Sequence, residues 1–525
     1  MRYVPFVFLL LSTSSATFAQ TADIPEPPAL MKAALGDYHR AVSTTSAEAQ
    51  DYFDQGVQMM YAFAKGEAPA SFEHAARLDS TCAACAWGVA WSYGAYLNGP
   101  MRSSDAPPAY AAIQRAKALA PGSASAVEVA LIDAMALRYE PEHDADRRTV
   151  LDTLYADAMA GVARQFPGDL DAGTLYAEAL MLLEPRRGRW SVDDPDVIRI
   201  HQELERILEA DVTHPGACHL YIHATEPTTE PGKASACAEY LGDAIPGASH
   251  INHMPSHTWN RVGRWGDSVR SNIQAWHSDQ KAAFNQGFAI YPSHNLHMLV
   301  FAASMDGQGA VAVQAGKDYA KIVQGGNFYE VLALLRFGRF EDLLAMEDTP
   351  QKPLFKGLWD FGRGYAHLRV GDPDNARAYL ERMERIVRDN PDESFRGHSA
   401  ADLLGITGGI LEAELLRHEG RLDDAIALLE SAVVTEDSLR YDEPEPLNFS
   451  ARHWLGSALL EAGRPADAEA VYRAALEDHP KNGWCLFGLR QALEQQGQTA
   501  AAAEVGAQFD EAWARSDTWI RGSTF

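Results

Sequence analysis

The stretch Gly-Arg-Pro-Ala-Asp-Ala-Glu-Ala-Val-Tyr-Arg-Ala-Ala-Leu-Glu-Asp-His-Pro, residues 463–480, indicates how this chain folds. Its glycine ends one helix, and the small side chains of Ala468 and Ala475 let the next helix approach its neighbour closely. Tyr472 is the size to fill the groove between the two helices, and Pro480 ends the second one. The stretch therefore predicts two antiparallel helices joined by a tight turn.

The same turn recurs along the chain at irregular intervals. Gly497 follows Gly463 by 34 residues, which is the length of a tetratricopeptide repeat (TPR). Further copies of the turn or of its second helix are centred on Phe72, Gly263, Gly338, Gly371 and Gly420. No stretch shows the apolar and polar alternation of a strand. The sequence predicts an all-α fold, a TPR-like α-solenoid of antiparallel helical hairpins.

The predicted array divides into regions of different composition. Residues 1–19 are expected to be a signal peptide, and residues 20–46 a leader that is rich in Pro and Ala together with a first helix. N-terminal TPR-like hairpins are expected over 47–190, central hairpins rich in histidine over 191–300, and C-terminal TPR repeats over 301–525. Because each hairpin buries its apolar face against its neighbours, the array should be continuous.

The first residues predict export. Arg2 precedes an apolar run from Val4 to Leu11, and small residues lead to a cleavage site after Ala19. The run is too short to cross a bilayer, and no later stretch has the roughly 18 consecutive apolar residues of a spanning helix. We therefore expect a periplasmic or secreted protein that is not membrane-integral.

The charge of the chain argues against one class of partner. There are 72 acidic and 45 basic residues, which gives a formal net charge of -27. Such a surface repels the phosphate backbone of nucleic acids. We expect no nucleic-acid partner, and the groove of a helical solenoid favours a protein or peptide partner instead.

Five cysteines are too few for a disulfide scaffold in a chain of this length. Cys82 and Cys85 are predicted to be a local disulfide, a redox couple or simply two small helix residues. Cys218 and Cys237 could join neighbouring helices. Cys485 would then have no partner.

Histidines are concentrated in the middle of the chain. Ten of the eighteen fall between His201 and His297. Their spacing is helical, since His219 and His223 lie one turn apart and Glu226 continues the same face. Two nitrogens and a carboxylate on one face are a common arrangement of metal ligands.

A second histidine cluster follows. If it is helical, His250, His253 and His257 form one stripe at positions i, i+3 and i+7. Pro255 interrupts the hydrogen bonding of such a helix, so we expect the stripe to be kinked.

The third cluster contains His294 and His297, three residues apart. Corresponding positions of stacked hairpins meet along the concave groove, so the three clusters could converge there. Neutral imidazoles with a carboxylate are ligands for Zn, Cu or non-haem Fe. The alternative is that these histidines line a polar groove and bond to backbone carbonyls or a peptide. His201, His214 and His277 stand outside the pairs and are expected at the surface or in loops.

Several motifs together resemble a family of exported bacterial TPR-containing proteins, over most of the mature chain. The motifs are Phe53 to Gly56 with Tyr61 and Phe63, Leu78-Asp79 followed by Cys82 to Gly88, Leu175 to Met181, Tyr221-Ile222-His223, and His253-Met254-Pro255-Ser256-His257 leading into Arg261 to Arg264. The resemblance implies the solenoid fold but no established reaction. The stretch Leu182 to Arg187 departs from the aromatic-rich segment expected after Met181, so the resemblance assigns no ligand contact to that loop.

The resemblance also draws attention to Glu178. This carboxylate lies in an otherwise apolar helix, where it needs a partner. A metal ion or an imidazolium in the next hairpin would supply one.

Two functions remain open. The first is a binding or scaffold module that acts through its concave groove and carries a central metal site. The alternative is a metal-dependent enzyme that uses the histidines to activate water or dioxygen. The predicted metal ligands are Glu178, His219, His223, Glu226, His250, His253, His257, His294 and His297. No catalytic residue is assigned, and the nucleophile elbow, phosphate loop and dinucleotide motifs are all missing from the sequence.

Overall fold

A computed structural model describes residues 29–185 and 188–525 as a succession of antiparallel helical hairpins. The predicted signal peptide, residues 1–19, lies outside the described residues. The N-terminal helices are α1 (Ala47–Tyr61), α2 (Ala68–Leu78), α3 (Ala83–Tyr93), α4 (Ala106–Leu119), α5 (Ala126–Ala136), α6 (Arg148–Gln165), α7 (Leu170–Met181) and α8 (Pro195–Ala210). A short 3₁₀ helix, Ser103–Asp105, precedes α4.

The central helices contain the histidine clusters. They are α9 (Pro215–Thr225), α10 (Ser235–Leu241), α11 (Ser249–His253), α12 (Pro255–Val262), α13 (Trp265–Ala282) and α14 (Pro292–Met305). A second 3₁₀ helix, Pro231–Ala234, leads into α10.

The C-terminal helices complete the array. They are α15 (Gly309–Ile322), α16 (Phe328–Arg336), α17 (Phe340–Ala345), α18 (Pro353–Arg369), α19 (Pro373–Asp389), α20 (Ala400–His418), α21 (Leu422–Asp437), α22 (Arg452–Glu461), α23 (Pro465–Asp478), α24 (Gly483–Gln495) and α25 (Thr499–Ala512). Between α19 and α20 the antiparallel strands β1 (Ser394–Phe395) and β2 (His398–Ser399) form a small hairpin. The predicted all-α, TPR-like solenoid is confirmed.

Local sequence explains where these helices begin. The Ser46 side chain caps α1 by accepting a hydrogen bond from the Ala49 amide, and Ser125 with Glu128 forms a capping box on α5. Proline occupies the first helical positions of many helices, α9 and α12 among them, where its missing N–H costs nothing. Capping side chains and N-terminal prolines thus determine where these helices begin.

An aromatic ring held between two glycines sets the spacing of neighbouring helices. Tyr472 on α23 is buried against Gly456 on α22 and Gly488 on α24, where an added Cβ would lie 2.3 Å and 2.2 Å from its ring. At the other end of the chain, Phe72 lies in the same way between Gly56 and Gly88. The small residue lets the backbone of each flanking helix touch the ring.

The apolar interior consists of two clusters. The first runs from Ala34 to Ile290 and the second from Trp265 to Ile520. The second part of the array closes on itself, because the indole N–H of Trp484 donates to the carbonyl of Ser304 at 2.8 Å.

Part of the segment 518–525 packs against the C-terminal repeats, although Trp519 is 95% exposed. Ser523 is buried; its hydroxyl is 2.7 Å from that of Tyr472, and its carbonyl accepts from Arg336 at 3.1 Å. Tyr365 donates to the carbonyl of Phe525 at 2.7 Å. Ser523 and Phe525 therefore bind to side chains of the C-terminal repeats.

The leader differs from its prediction. Residues 29–46 form turns and irregular backbone with no helix, and the first helix begins at Ala47. Arg40 forms an ion pair with Asp169 at 2.9 Å, and the Ala34 carbonyl accepts from the Gly247 amide at 2.8 Å. These polar contacts to the starts of distant helices hold the segment extended, so the helical expectation is wrong for this part.

Disulfides join Cys82 to Cys85 and Cys218 to Cys237, and Cys485 is buried as a free thiol. Of the alternatives for Cys82 and Cys85, the structure has the local disulfide. In the described parts of the chain, every helix is too short or too polar to cross a membrane.

Candidate metal centre

Helix α9 carries the first pair of histidines. Pro215 begins the helix, and the His214 side chain caps it by accepting a hydrogen bond from the Ala217 amide at 3.1 Å. His219 and His223 are buried one turn apart, as their spacing predicts. The helical pattern therefore delivers both rings to the interior.

Two of the histidines expected at the surface are buried, so that expectation is wrong for them. His214 bonds to its own helix end and also lies 3.4 Å from Asp171, and His201 lies 3.0 Å from the Ala224 carbonyl. Both serve backbone and packing contacts that spacing alone does not reveal. His277 is exposed on α13, as expected.

Pro255 divides the second cluster between two helices. His250 and His253 lie on α11 and His257 on α12. The predicted kink is present, and it separates the stripe: His250 faces α9, whereas His253 and His257 face His294 at the start of α14.

The rings assemble into three groups that could each hold a metal ion, with the ligand atoms of each group within 4.8 Å of one another. The first is His219, His223 and His250; the second is His253, His257 and His294; the third is His223, Glu226 and Glu443. His223 belongs to two of the groups. Seven of the nine predicted ligands are thus brought together.

The side-chain amide of Asn272 sets the tautomer of His253 in the second group. The Asn272 amide donates to the Ser268 carbonyl at 2.8 Å, so its oxygen faces Nδ1 of His253, at 2.7 Å. That oxygen only accepts, so Nδ1 carries the proton and Nε2 the lone pair. This is the arrangement that supporting hydrogen bonds give to metal-binding histidines.

His257 is oriented in the same way by a carboxylate. Its Nδ1 lies 2.8 Å from a Glu226 oxygen, and its Nε2 lies 2.8 Å from Nε2 of His253. Two imidazole lone pairs that face each other at this distance repel. A proton between the two nitrogens or a metal ion in front of them would remove this repulsion.

Burial keeps the rings of this group in the form that binds metal. It lowers the pKa of His253 and of His294 well below the usual value, with the neighbouring imidazoles adding to the effect. Neutral imidazole is the ligand form for transition metals.

Burial, reinforced by the charge of Glu443, raises the pKa of Glu226, while His257 opposes that rise. A cation among these groups would stabilise the buried carboxylates.

A cavity of about 260 Å³ adjoins the histidines. It is lined by Asn98, His223, His250, Tyr291, Ser293, His294, Arg396, Tyr441, Asp442 and Glu443. Arg396, in the turn between β1 and β2, donates two hydrogen bonds of 2.6 Å to Asp442. The cavity thus has imidazoles on one wall and a salt-bridged polar wall opposite.

Glu178 and His297 do not join the three groups. Burial raises the pKa of Glu178, and Arg138, Lys65 and a hydrogen bond from Trp91 lower it again. Glu178 therefore has cationic partners in the N-terminal hairpins, in place of the predicted metal or imidazolium.

His297 contacts the loop 438–451. Its Nε2 lies 3.1 Å from the Glu445 carbonyl, and its ring stacks on Tyr329. Burial lowers the pKa of His297 to about 3, so the ring is neutral and donates to that carbonyl.

Sequence reasoning missed the polar wall of the cavity. Tyr441, Asp442 and Glu443 lie between α21 and α22, where the sequence predicts no site residue, and Arg396 lies in the turn between β1 and β2. The proline-flanked acidic run at 441–446 is the one signal that pointed there.

Comparisons with known proteins identify the helical repeat and give no information about the histidine groups. Residues 459–508 match the sequence profile of the tetratricopeptide repeat. A search of curated proteins found no match.

Similar solved structures include the APC/C hetero-tetramer Cut9-Hcn1, at 13% identity and a TM-score of 0.30, covering 88% of this chain and 76% of that one. They also include yeast Tom70, at 12% and 0.28, covering 90% and 92%. The human IFIT1 dimer with m7Gppp-AAAA is similar at 11% and 0.29, covering 89% and 90%. Similarities this weak carry no information about function. The profile match and the hairpin geometry together describe an all-α, TPR-like solenoid.

Proposed function

We propose that this protein is a TPR-like binding protein that holds a transition-metal ion in its central hairpins, with His253, His257 and His294 as ligands. The observation that carries the proposal is the contact of 2.8 Å between the Nε2 atoms of His253 and His257. Each ring is oriented for metal binding by a hydrogen bond to its other nitrogen. The donor set suits Zn, Cu or Fe.

A metal ion accounts for more of the geometry than a shared proton does. A proton needs only two nitrogens, but a third imidazole, His294, lies with its ring centroid 4.6 Å from that of His253. Three imidazoles around one point are the ligand number of a metal site with a further open position.

The proposal places the protein outside the cytoplasm, in the periplasm or secreted. The disulfides Cys82–Cys85 and Cys218–Cys237 support an oxidising compartment. A protein or peptide partner fits the repeat fold, because solenoids present extended surfaces built from stacked hairpins. The metal would hold α11, α12 and α14 together within that surface.

Elemental analysis of the exported protein, purified without a polyhistidine tag, tests the metal site. We expect about one or more equivalents of a transition metal, and a rise in melting temperature when zinc, copper or iron is added to chelator-treated protein. His253→Ala and His257→Ala should lower the metal content, whereas His277→Ala on the exposed face of α13 should not.

Two results would count against the proposed metal site. Less than about 0.2 equivalents of every transition metal, with an unchanged melting temperature on metal addition, would contradict the proposal. Equal losses in all three variants would show that the metal is not bound by the second group.

A further inference from the structure

The first histidine group has the features of a separate ligand set. We infer that a second metal ion binds at His219, His223 and His250, which makes the centre dinuclear. This inference rests on the proposed function, because it places the second ion beside the first.

The tautomer of His219 is set by the backbone. Its Nδ1 donates to the Tyr61 carbonyl at the end of α1, which leaves the lone pair on Nε2. The ring centroids of His223 and His250 each lie 5.0 Å from that of His219, and one nitrogen of each of the three rings lies within 4.8 Å of the other two. The same supporting hydrogen bond orients many metal-binding histidines.

A phenyl ring closes one side of this group. Phe63 packs on all three imidazoles, with ring centroids 4.1 Å, 5.8 Å and 5.7 Å from those of His219, His223 and His250. Its backbone has a φ of 59°, an uncommon conformation for a bulky residue. Strained backbone of this kind persists where the surroundings impose it, often at functional sites.

The other side of the group opens onto the cavity. His223 and His250 both line it. Three imidazoles backed by an apolar ring, with a cavity in front, correspond to a metal site that has three protein ligands and one exchangeable position.

The two groups adjoin closely enough to form one centre. The ring of His250 stacks on that of His253 with centroids 5.6 Å apart, and His223 lies 5.5 Å from His257. Glu226 touches both groups, because it bonds to His257 and shares the third group with His223.

Charge supports two ions in the centre. Two divalent ions among neutral imidazoles need compensating anions, and Glu226 and Glu443 stand within 4.8 Å of a His223 nitrogen. Asp442 on the opposite wall is already paired with Arg396. The carboxylates of the buried Glu226 and the half-buried Glu443 would therefore balance part of the charge of the ions.

Titration with cobalt(II) alone tests the inference. Full-length, chelator-treated protein should take up about two equivalents of cobalt, with visible bands of nitrogen-ligated cobalt in both phases. Electron paramagnetic resonance should show magnetic coupling between the two ions at saturation.

Single variants assign the two sites. His219→Ala should bind about one equivalent without coupling, and His257→Ala should also bind about one, with a different visible spectrum. His277→Ala, our control, should retain both ions and the coupling. Circular dichroism establishes that each variant is folded before titration.

The outcomes separate this inference from the proposed function. Saturation of the wild-type protein at one equivalent would overturn the second site and leave the first, as would an unchanged stoichiometry in folded His219→Ala. Uptake of no cobalt would overturn both. If His219→Ala does not fold, the wild-type stoichiometry and coupling decide the question alone.

Discussion

The C-terminal repeats, residues 301–525, and the central hairpins, residues 191–300, contain the same helix-ending turn but enclose different side chains. In both regions a glycine with positive φ ends a helix, and the arginine after it pairs with an aspartate three residues later. The turns are at Gly263 (φ 75°), Gly338 (68°), Gly420 (78°) and Gly463 (68°), with the pairs Arg264–Asp267, Arg339–Asp342, Arg421–Asp424 and Arg464–Asp467. The two regions therefore have the same backbone turn between helices.

The two regions differ in the side chains that their helices enclose. In the C-terminal repeats, Tyr472 fits between two glycines, and its hydroxyl contacts the buried Ser523. In the central hairpins, the corresponding interior holds imidazoles and carboxylates beside a cavity. Burying so many polar groups costs stability unless something satisfies them. The C-terminal region therefore buries mainly apolar side chains, whereas the central region buries polar groups that fit the proposed metal site.

Filling the space beside Tyr472 should produce the largest effect. Gly488→Ala puts a Cβ 2.2 Å from the Tyr472 ring, which must move within a packed core. We expect a loss of about 3 kcal/mol in the free energy of unfolding, measured by urea denaturation, with the cobalt stoichiometry unchanged.

Gly405→Ala on α20 is the matched control, because its Cβ would meet no atom within 4 Å. Alanine is the better helix former there, so stability should stay equal or rise slightly. Equal destabilisation by both variants would mean that the aromatic ring does not set the helix spacing.

The sequence predicts the helical hairpins well, because the residues that determine them act on near neighbours in the sequence. Glycine turns, helix-starting prolines and small residues act over a few positions, and Pro255 correctly predicted the break between α11 and α12. The burial of His201 and His214 was not predictable in this way, since their partners, Ala224 and Asp171, lie in other helices.

The polar wall of the cavity depends on the curvature of the whole array. Arg396 and Asp442 lie 102 and 148 residues after His294 in the sequence, and no local pattern indicates that they meet the histidines. The histidine spacing predicted which rings share a helix face. Their division into two groups follows from the packing of α9, α11, α12 and α14.

A smaller effect should come from the residue that orients His253. Asn272→Ala removes the acceptor for its Nδ1 proton, so the ring is free to turn. We expect metal affinity, measured by competition with a chelator, to fall by about tenfold or more. Asn272→Asp keeps an acceptor and should retain the affinity.

Gln274→Ala serves as the control on the same helix, since Gln274 bonds to Gly242 and Asp243 at a distance from the histidines. An Asn272→Ala variant with wild-type affinity would show that the fixed tautomer of His253 does not matter for binding.

We expect the smallest effect from replacing the arginines that follow Gly463 and Gly263, which occupy equivalent positions in the two turns. Arg464 pairs with Asp467 at the surface, where both side chains are about half exposed, so Arg464→Ala should cost less than about 0.5 kcal/mol. Arg264 also lies 3.8 Å above the Trp259 ring centroid and bonds to Glu239, so Arg264→Ala should cost about 1 kcal/mol. Thermal unfolding of the two variants measures the difference. Equal costs would mean that the contacts of Arg264 with Trp259 and Glu239 do not stabilise the central turn more than the C-terminal one.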